Sequence, residues 1–583
     1  MSSYLSELCR FYDRLSGDPL SGMPPEGMSA EKISFALVIS PDGDLVDVRD
    51  LRDSEGHVLR CFVPAAVKRT VNPISNFLWD NTGYVLGVDG KGKKEKTQKT
   101  AEVFRERHRA MLSSCDDVHA RALLAFLDKW RPEHFEALDL REALLDSNVV
   151  FQLKGEDTFL HQAAALQELW LDSLGADDDA GMGICLITGR QGAIARTHPS
   201  IKGVSGAQSS GAALVSFNCP SFTSYGKQQN ANAPVIKSAA SAYTSALNYL
   251  LAREHRQMVR VGDTCIIFWA DRPSPAETLF GGIFDLEETK DSSLQDRKQL
   301  KRLKGILRAL REGHQLNEAD KALEAGTRFF VLGLAPNAAR LSVRFWLTDT
   351  LEVLLERFSR WYEDLHIERQ FPDSEPEFPP LWLLLLRSAA AQGKSENLPP
   401  ELGGQVARAM LCGSSLPENL FATVLQRIHA DKKMDYFRAA LIKAYLRRNK
   451  REDKDMTTLN TEESNTGYRL GRLFALLEKA QKDALGAVNA PLRERYIGAA
   501  SATPRLVFPM LLRLAQHHVT KAQKSSFDKY DSAFSKRVAE ITADMTDFPA
   551  VLSLEDQGRF MLGYYHQNNA FYQKKTDSGE SAE

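Results

Sequence analysis

The sequence has a long segment from which acidic residues are absent. From residue 180 to residue 253 there is no aspartate or glutamate, although 76 of the 583 residues of the chain are acidic. Burial in a sheet would exclude cations as well as acids, yet this segment keeps six: Arg190, Arg196, Lys202, Lys227, Lys237 and Arg253. A surface that lacks carboxylates but keeps cations suits a polyanion, because nearby carboxylates repel phosphates. We therefore expect nucleic acid to contact this acid-free segment.

Other absences exclude several classes of protein. The seven cysteines are scattered and never form a Cys-x-x-Cys pair, which argues against a zinc site or a disulfide framework and is typical of a reducing cytoplasm. The start of the chain lacks the features of a signal peptide, and no apolar run approaches the ~20 residues that span a bilayer. A net charge of −2 gives no overall attraction to polyanions, so a nucleic-acid site must be local. We expect a cytoplasmic protein with no membrane contact, no metal and no cofactor.

The periodicity of apolar residues divides the chain into two regions. Strands are predicted at 33–39, 45–51, 185–188, 214–217, 264–269, 329–334 and 341–346, and helices at 100–130 and 238–253. The segment 371–380 contains four prolines, which exclude regular structure, and nearly everything after it has helical periodicity. The fold class we predict is an α+β N-terminal region, residues 1–380, followed by an all-α helical bundle, residues 381–583.

A lysine-rich loop nearly matches a phosphate-binding motif. Gly87-Val-Asp-Gly-Lys-Gly-Lys-Lys94 fits G-x-x-x-x-G-K-[ST] except at its last position, where a lysine replaces the hydroxyl that holds Mg²⁺. No acidic metal site follows it. Three alternatives stay open: a nucleotide triphosphatase, a basic loop that contacts phosphate, and an ordinary solvated loop. For the second, the candidates are Lys91, Lys93 and Lys94.

A second basic segment pairs cations with asparagines. In Lys68-Arg-Thr-Val-Asn-Pro-Ile-Ser-Asn76, Lys68 and Arg69 could hold phosphate while Asn72 and Asn76 read base edges. The alternative is that Asn72-Pro73 starts a turn and the two cations are solvated.

The C-terminal region has a basic window from residue 493 to residue 537, with nine lysines and arginines and three acidic residues. Such a window suits a nucleic-acid backbone, although a run of charge is often only a solvated face. The candidate contacts are Arg493, Arg495, Arg513, Lys521 and Lys524. Tyr496 could stack on bases or belong to the core.

Several long strings resemble the large subunit of the type I-C CRISPR Cascade surveillance complex. They are Ile194-Ala-Arg-Thr-His-Pro-Ser-Ile-Lys-Gly-Val204, Gly206-Ala-Gln-Ser-Ser-Gly211, Val215-Ser-Phe-Asn218, Ser224-Tyr-Gly226, Asn232-Ala-Pro-Val235, Val331-Leu-Gly-Leu-Ala-Pro-Asn-Ala-Ala-Arg-Leu-Ser-Val-Arg-Phe-Trp346, Gly467-Tyr-Arg-Leu-Gly-Arg-Leu-Phe474, Arg495-Tyr-Ile-Gly-Ala-Ala-Ser-Ala-Thr-Pro504 and Gly563-Tyr-Tyr-His-Gln567. The resemblance runs nearly from end to end.

The resemblance implies a non-catalytic subunit of an RNA-guided DNA-binding assembly. Its N-terminal part would recognise the double-stranded target DNA at the short flanking motif, the PAM, and its C-terminal helices would hold the displaced strand of the R-loop. Its implied partners are crRNA, the backbone subunits, the subunit at the crRNA 5′ end and the helicase-nuclease. Related large subunits read the PAM with a glycine loop, a lysine and a glutamine. By residue type, the matching candidates are Lys202, Gly203, Gly206 and Gln208, and Ser209, Lys227 and Gln228 are further candidate contacts on the acid-free segment.

Two other functions compete with this one. A metal-independent nuclease acting on CRISPR RNA would need an acid-base pair beside a basic groove, which Tyr225, His198 and Lys202 could supply. A purely structural scaffold would contact no nucleic acid. The resemblance further implies a separate small-subunit product, for which Met456 is the best internal start, since it falls between two helical blocks.

Overall fold

The computed structural model divides the chain into two compact units. It describes residues 3–18, 20–67, 69, 73–90, 94–175, 181–274, 277, 280–281, 284, 294–311, 326–388, 399–452, 455–486, 490–526, 530–543 and 545–572. The N-terminal unit comprises residues 1–255 and 336–342, and the C-terminal unit comprises 256–335 and 343–583. The predicted change of fold class near residue 380 falls inside the C-terminal unit and stays a prediction about domain boundaries.

The N-terminal unit contains seven helices and eight strands among its described residues. The helices are α1 (Tyr4–Ser16), α2 (Thr82–Val85), α3 (Lys94–Leu112), α4 (Val118–Lys129), α5 (Arg141–Leu144), α6 (Ala164–Gly175) and α7 (Lys237–Leu251). The strands are β1 (Met28–Ile33), β2 (Phe35–Ile39), β3 (Leu45–Asp50), β4 (Leu59–Pro64), β5 (Trp79–Asn81), β6 (Asn148–Leu153), β7 (Met182–Ile184) and β8 (Gln191–Ala193). Short 3-10 turns lie at Pro132–Ala137, Leu160–Gln162, Pro220–Phe222, Gln229–Asn232 and Arg253–His255.

A four-stranded sheet in the order β3-β2-β6-β5 forms the core of this unit. Strand β2 pairs in parallel with β6 and antiparallel with β3. All five residues of β2 are buried, whereas in β3, at the sheet edge, four residues are exposed and two are half-buried. That difference explains the unbroken apolar run of β2 and the more polar sequence of β3. Strands β1 and β4 form a separate antiparallel pair, and so do β7 and β8.

The C-terminal unit combines one sheet with many helices. Its strands are β9 (Met258–Val261), β10 (Thr264–Ala270), β11 (Arg328–Asn337) and β12 (Arg340–Thr350), in the order β12-β11-β10-β9. Its helices are α8 (Leu294–Arg311), α9 (Leu351–Leu365), α10 (Leu381–Ser388), α11 (Pro400–Cys412), α12 (Glu418–Asp431), α13 (Tyr436–Lys450), α14 (Thr466–Leu485), α15 (Leu492–Ala502), α16 (Pro504–Ser526), α17 (Tyr530–Thr542) and α18 (Leu554–Tyr572). One hydrophobic core extends from the sheet into the helices. The predicted fold class is therefore confirmed.

Three predicted elements are wrong in detail. Residues 185–188 form a turn after β7, and residues 214–217 have no regular structure. The predicted helix 100–130 is two helices, because the Asp117 side chain accepts a hydrogen bond from the His119 N–H and starts α4 anew.

Helices α14 and α18 pack closely because a glycine of each helix faces the backbone of the other. A Cβ on Gly471 would lie 1.9 Å from the Phe560 carbonyl oxygen, and one on Gly563 would lie 2.1 Å from the Tyr468 carbonyl oxygen. Any larger residue would force the helices apart. Residue 456, the predicted internal start, lies between α13 and α14, and its side chain packs against the core. No helix in the described part of the chain is long and apolar enough to cross a membrane.

Candidate nucleic-acid interface

A glycine loop, residues 201–212, projects from the acid-free segment. Ile201 and Ala212 close its base by exchanging two backbone hydrogen bonds of 2.9 Å. Gly203 and Gly206 have φ values of +94° and +82°, a region that favours glycine. At Gly203 a Cβ would also lie 3.2 Å from the Leu251 Cβ. The sequence therefore needs glycine to fold this loop.

The far side of the glycine loop presents polar side chains. Gln208 and Ser209 are exposed, and the Gln208 carbonyl oxygen accepts a 2.9 Å hydrogen bond from the Gly211 N–H, which closes the tip. A short turn with free amide and hydroxyl groups can approach the edge of a base closely, because its glycines add no bulk.

Lys202 at the start of the glycine loop has a carboxylate partner that the sequence did not reveal. Its Nζ lies 2.9 and 2.8 Å from the two carboxylate oxygens of Glu31 in β1. The Lys202 side chain keeps 46% of its surface exposed, while that of Glu31 keeps 12%. The acid-free segment thus receives an acid from another part of the fold. A phosphate at Lys202 would compete with this ion pair.

The structure brings the glycine loop close to the segment that carries the predicted asparagines. Glu31 also accepts a 3.3 Å hydrogen bond from the Ser29 hydroxyl. The Ser29 hydroxyl oxygen in turn accepts a 3.2 Å bond from the Ala66 N–H. Strand β1 therefore bonds both Lys202 and Ala66, which lies two residues before the predicted contact group at 68–76. Within that group, Lys68 and Asn72 lie outside the described residues.

The side chains of Arg69 and Asn76 bond other groups of this segment and its neighbours. Arg69 pairs with the buried carboxylate of Asp80, and its guanidinium carbon lies 4.0 Å from the Tyr84 ring centroid. The Asn76 side chain is 4% exposed and accepts a 3.0 Å hydrogen bond from the Val67 N–H. Burial raises the pKa of Asp80, although Arg69 and two backbone N–H groups oppose the shift. Both side chains hold this segment in its conformation, so a contact with a base would compete with these bonds.

Lys227 and Gln228 are exposed beside a tight turn. Tyr225 and Gly226 both have left-handed backbone, with φ values of 52° and 71°, and the Lys227 N–H donates a 3.0 Å bond to the Ser224 carbonyl. This is the geometry of a type I′ turn. Tyr225 at its tip is 98% exposed. A fully exposed aromatic ring next to a lysine is a feature that the sequence pattern alone did not single out as a contact.

Only part of the lysine-rich loop lies within the described residues. Lys91 and Lys93 lie outside the described residues, and Lys94 is the first residue of α3. Before the loop, the Gly90 N–H donates a 3.2 Å hydrogen bond to the Asp146 carboxylate. Whether the loop contacts phosphate stays a prediction.

The basic window of the C-terminal unit contains both exposed and buried groups. Arg495, Arg513 and Lys521 are exposed, whereas the side chain of Lys524 lies outside the described residues. Tyr496 is half-buried and packs against the core. Arg493 is also half-buried. Burial acts to lower its pKa, but Tyr564 and Glu478 outweigh burial and raise it.

The three side chains of the nuclease alternative are engaged separately. His198 is 2% exposed and its Nδ1 lies 2.6 Å from the Tyr243 hydroxyl. Lys202 pairs with Glu31, and Tyr225 points into solvent at its turn. Among the residues that the structure describes, no group of three or more His, Cys, Asp or Glu could hold a metal ion.

A profile of the CRISPR-associated protein family Cas_Csd1 matches residues 8–572. The chain belongs to the Cas_Csd1 family. No curated protein matches it. As a family member it is a CRISPR-associated component of Cascade type, and it works within a CRISPR-associated complex.

In this Cas_Csd1 chain the strings behind the sequence resemblance serve two different purposes. Those between residues 194 and 235 form the glycine loop and the tyrosine turn, which are largely exposed. Those at 467–474 and 563–567 hold helices α14 and α18 together, with the Tyr468 hydroxyl 3.0 Å from the His566 Nδ1. The first group offers exposed side chains to a partner, and so does Arg495 in the string 495–504.

Proposed function

We propose that this Cas_Csd1 protein is the non-catalytic large subunit of a type I-C Cascade complex. Its N-terminal unit recognises the PAM duplex and its C-terminal helices hold the displaced strand and stabilise the R-loop. It binds crRNA next to the backbone subunits and the crRNA 5′-end subunit, and it helps to recruit the helicase-nuclease. Protein contacts of this kind complement guide pairing, because the PAM is read in duplex DNA before base pairing begins.

One observation carries the duplex-binding role: an exposed glycine loop stands beside a half-exposed lysine in a segment without acids. Gln208 and Ser209 supply hydrogen-bonding groups for base edges, and Lys202 supplies charge for the backbone. Lys227 and Gln228 add a second exposed polar group on the same acid-free segment.

The test is binding of PAM-bearing duplex by the assembled complex with Gln208→Ala. We expect affinity to fall about tenfold and the ranking of PAM sequences to flatten, since a base-edge contact is worth ~1–3 kcal/mol. Gln167→Ala is the matched control, because Gln167 is exposed on α6 of the same unit. Parental affinity and an unchanged PAM ranking in Gln208→Ala would contradict the assignment.

The absence of catalysis is part of the proposal. It is supported by the separate engagement of His198 and Lys202, so these two side chains do not form an acid-base pair with each other. The purified chain should leave CRISPR repeat RNA intact. Cleavage of that RNA, lost in Tyr225→Phe, would instead establish the nuclease.

A further inference from the structure

The C-terminal unit contains a pocket of about 640 Å³ between the ends of helices α14 and α18 and the segment around residue 371. Its volume lies within the ~300–1,000 Å³ typical of pockets for small ligands. The residues that line it include four aromatic rings, three cations and four side-chain amides, with one glutamate. This composition differs from an ordinary gap between helices, which is lined by aliphatic groups.

Lys482 and Arg493 are held in the pocket by neighbouring groups of its lining. Lys482 Nζ lies 2.8 Å from the Tyr572 hydroxyl and 5.0 Å from the centroid of its ring. The Arg493 backbone N–H donates a 3.3 Å hydrogen bond to Glu478, whose other carboxylate oxygen accepts from the Tyr564 hydroxyl. Lys479 pairs with Asp483 outside the lining, so Lys482 and Arg493 against one glutamate leave the lining a positive balance that suits a phosphate.

Two aromatic rings stand at the mouth of the pocket. Phe371 is 59% exposed and Tyr572 is 52% exposed. A planar base can stack on such rings, and every base has the face that this requires.

Two buried polar atoms of the lining lack partners within the described part of the chain. Asn569 is 4% exposed, yet its Oδ1 accepts no hydrogen bond there, and neither does Arg493 Nε donate one. The Asn569 Nδ2 donates a long bond of 3.4 Å to the Glu368 carbonyl, and the Asn569 side chain also hydrogen-bonds Tyr565. A buried polar atom without a partner is costly, so a ligand that offers both a donor and an acceptor would fit.

We infer that this pocket takes one unstacked nucleotide of a single-stranded nucleic acid. The base lies against Phe371 and Tyr572, its polar edge meets Asn569, and its phosphate lies near Lys482 and Arg493. Planar rings, an amide and cations together are the groups that recognise a nucleotide, whereas an acidic peptide would use the cations alone. The inference rests on the proposed function, in which the C-terminal helices hold a displaced strand.

The test compares two strands on the purified full-length chain: a short oligothymidylate, and a strand of equal length whose units carry phosphates but no bases. Fluorescence anisotropy at fixed salt should show that the parent prefers the strand with bases by about tenfold or more. Phe371→Leu should remove most of that preference. Lys482→Gln should weaken both strands a few-fold, and the exposed Lys301→Gln on α8 is the matched control.

The outcomes separate the pocket from the proposed function. Tight binding without a base preference, or a full preference in Phe371→Leu, overturns the pocket and leaves strand binding intact. Failure to bind either strand at low salt overturns both. Two further ligands identify the source of the nucleotide. Oligouridylate compares RNA with DNA. Thymidine monophosphate compares a free nucleotide with a strand, since only a pocket that also uses the neighbouring backbone binds an oligonucleotide more tightly than the free monophosphate.

Discussion

At the scale of single residues, Glu31 controls how much charge Lys202 can offer. The two groups are in hydrogen-bond contact, and a phosphate would have to displace the carboxylate or lie beside it. Glu31→Gln should therefore raise the affinity of the complex for PAM duplex a few-fold, because it removes a like charge from the site. Lys202→Ala should lower it by more than a lost phosphate contact, because Glu31 is left unpaired.

Titration with duplex DNA at two salt concentrations measures both effects. Glu55→Gln is the control. Glu55 is 78% exposed in the same unit, and its substitution removes the same charge at another place. If Glu31→Gln binds no better than Glu55→Gln, Lys202 does not face the DNA.

His108 makes the stability of the N-terminal unit depend on pH. It is fully buried, its Nε2 accepts from the Leu78 N–H at 2.8 Å and its Nδ1 donates to the Phe104 carbonyl at 2.7 Å. Burial, with help from Arg107, lowers its pKa to about 3, against an ordinary value of 6.5. The unfolded chain therefore binds the proton more readily, so the contribution is complete above pH 6.5 and is lost as pH falls towards 3.

We expect the free energy of unfolding to drop by about 2 kcal/mol between pH 7 and pH 5 from this residue alone. Urea unfolding of the parent and of His108→Gln measures this change. The variant should have a lower free energy of unfolding at pH 7, but that free energy should fall less between pH 7 and pH 5. Equal losses in the two proteins would show that His108 titrates normally.

Residue environments were the hardest feature to predict. The motif at 68–76 indicated cations and amides, but nothing near it showed that Asp80 would be buried and would take Arg69 as its partner. In the same way, Lys202 is 171 positions from Glu31 in sequence. Pairings of this kind depend on the tertiary fold, which composition and spacing do not encode.

At the scale of elements, the glycines between helices α14 and α18 set their distance. Gly471→Ala should destabilise the chain by about 1–3 kcal/mol or more, because the new methyl group meets the Phe560 carbonyl. Gly305→Ala on α8 is the matched control: nothing lies within 4 Å of its new Cβ, so it should gain up to ~1 kcal/mol from helix propensity. Thermal unfolding decides, and a Gly471→Ala protein as stable as the parent would contradict the packing.

Elements with strong periodicity were predictable. The strands at 264–269, 329–334 and 341–346 and the helix at 238–253 are present within a few residues, because each has either a continuous run or one regular face of buried residues. The predicted strands at 185–188 and 214–217 are absent. In these two runs Cys185 is buried, whereas Leu186 is 69% exposed, and a short apolar run alone does not distinguish a strand from an irregular segment.

At the scale of the whole molecule, the fold class was easier to predict from the sequence than the individual contacts. The α+β region followed by helices was predictable from periodicity, and family membership covers residues 8–572. The candidate interface was predictable in kind, since the acid-free segment does form exposed loops. The pocket around Asn569 was not, because residues about 200 positions apart line it.

The proposed function requires the acid-free segment to contact the PAM-side duplex in the assembled complex. Photocrosslinking that complex to a duplex with a photoreactive base beside the PAM, followed by mapping of the modified peptides, tests this contact most directly. We expect crosslinks within residues 202–211 or 224–228, which disappear when the PAM is scrambled. Crosslinks confined to other parts of the chain, with none between residues 201 and 228, would contradict it.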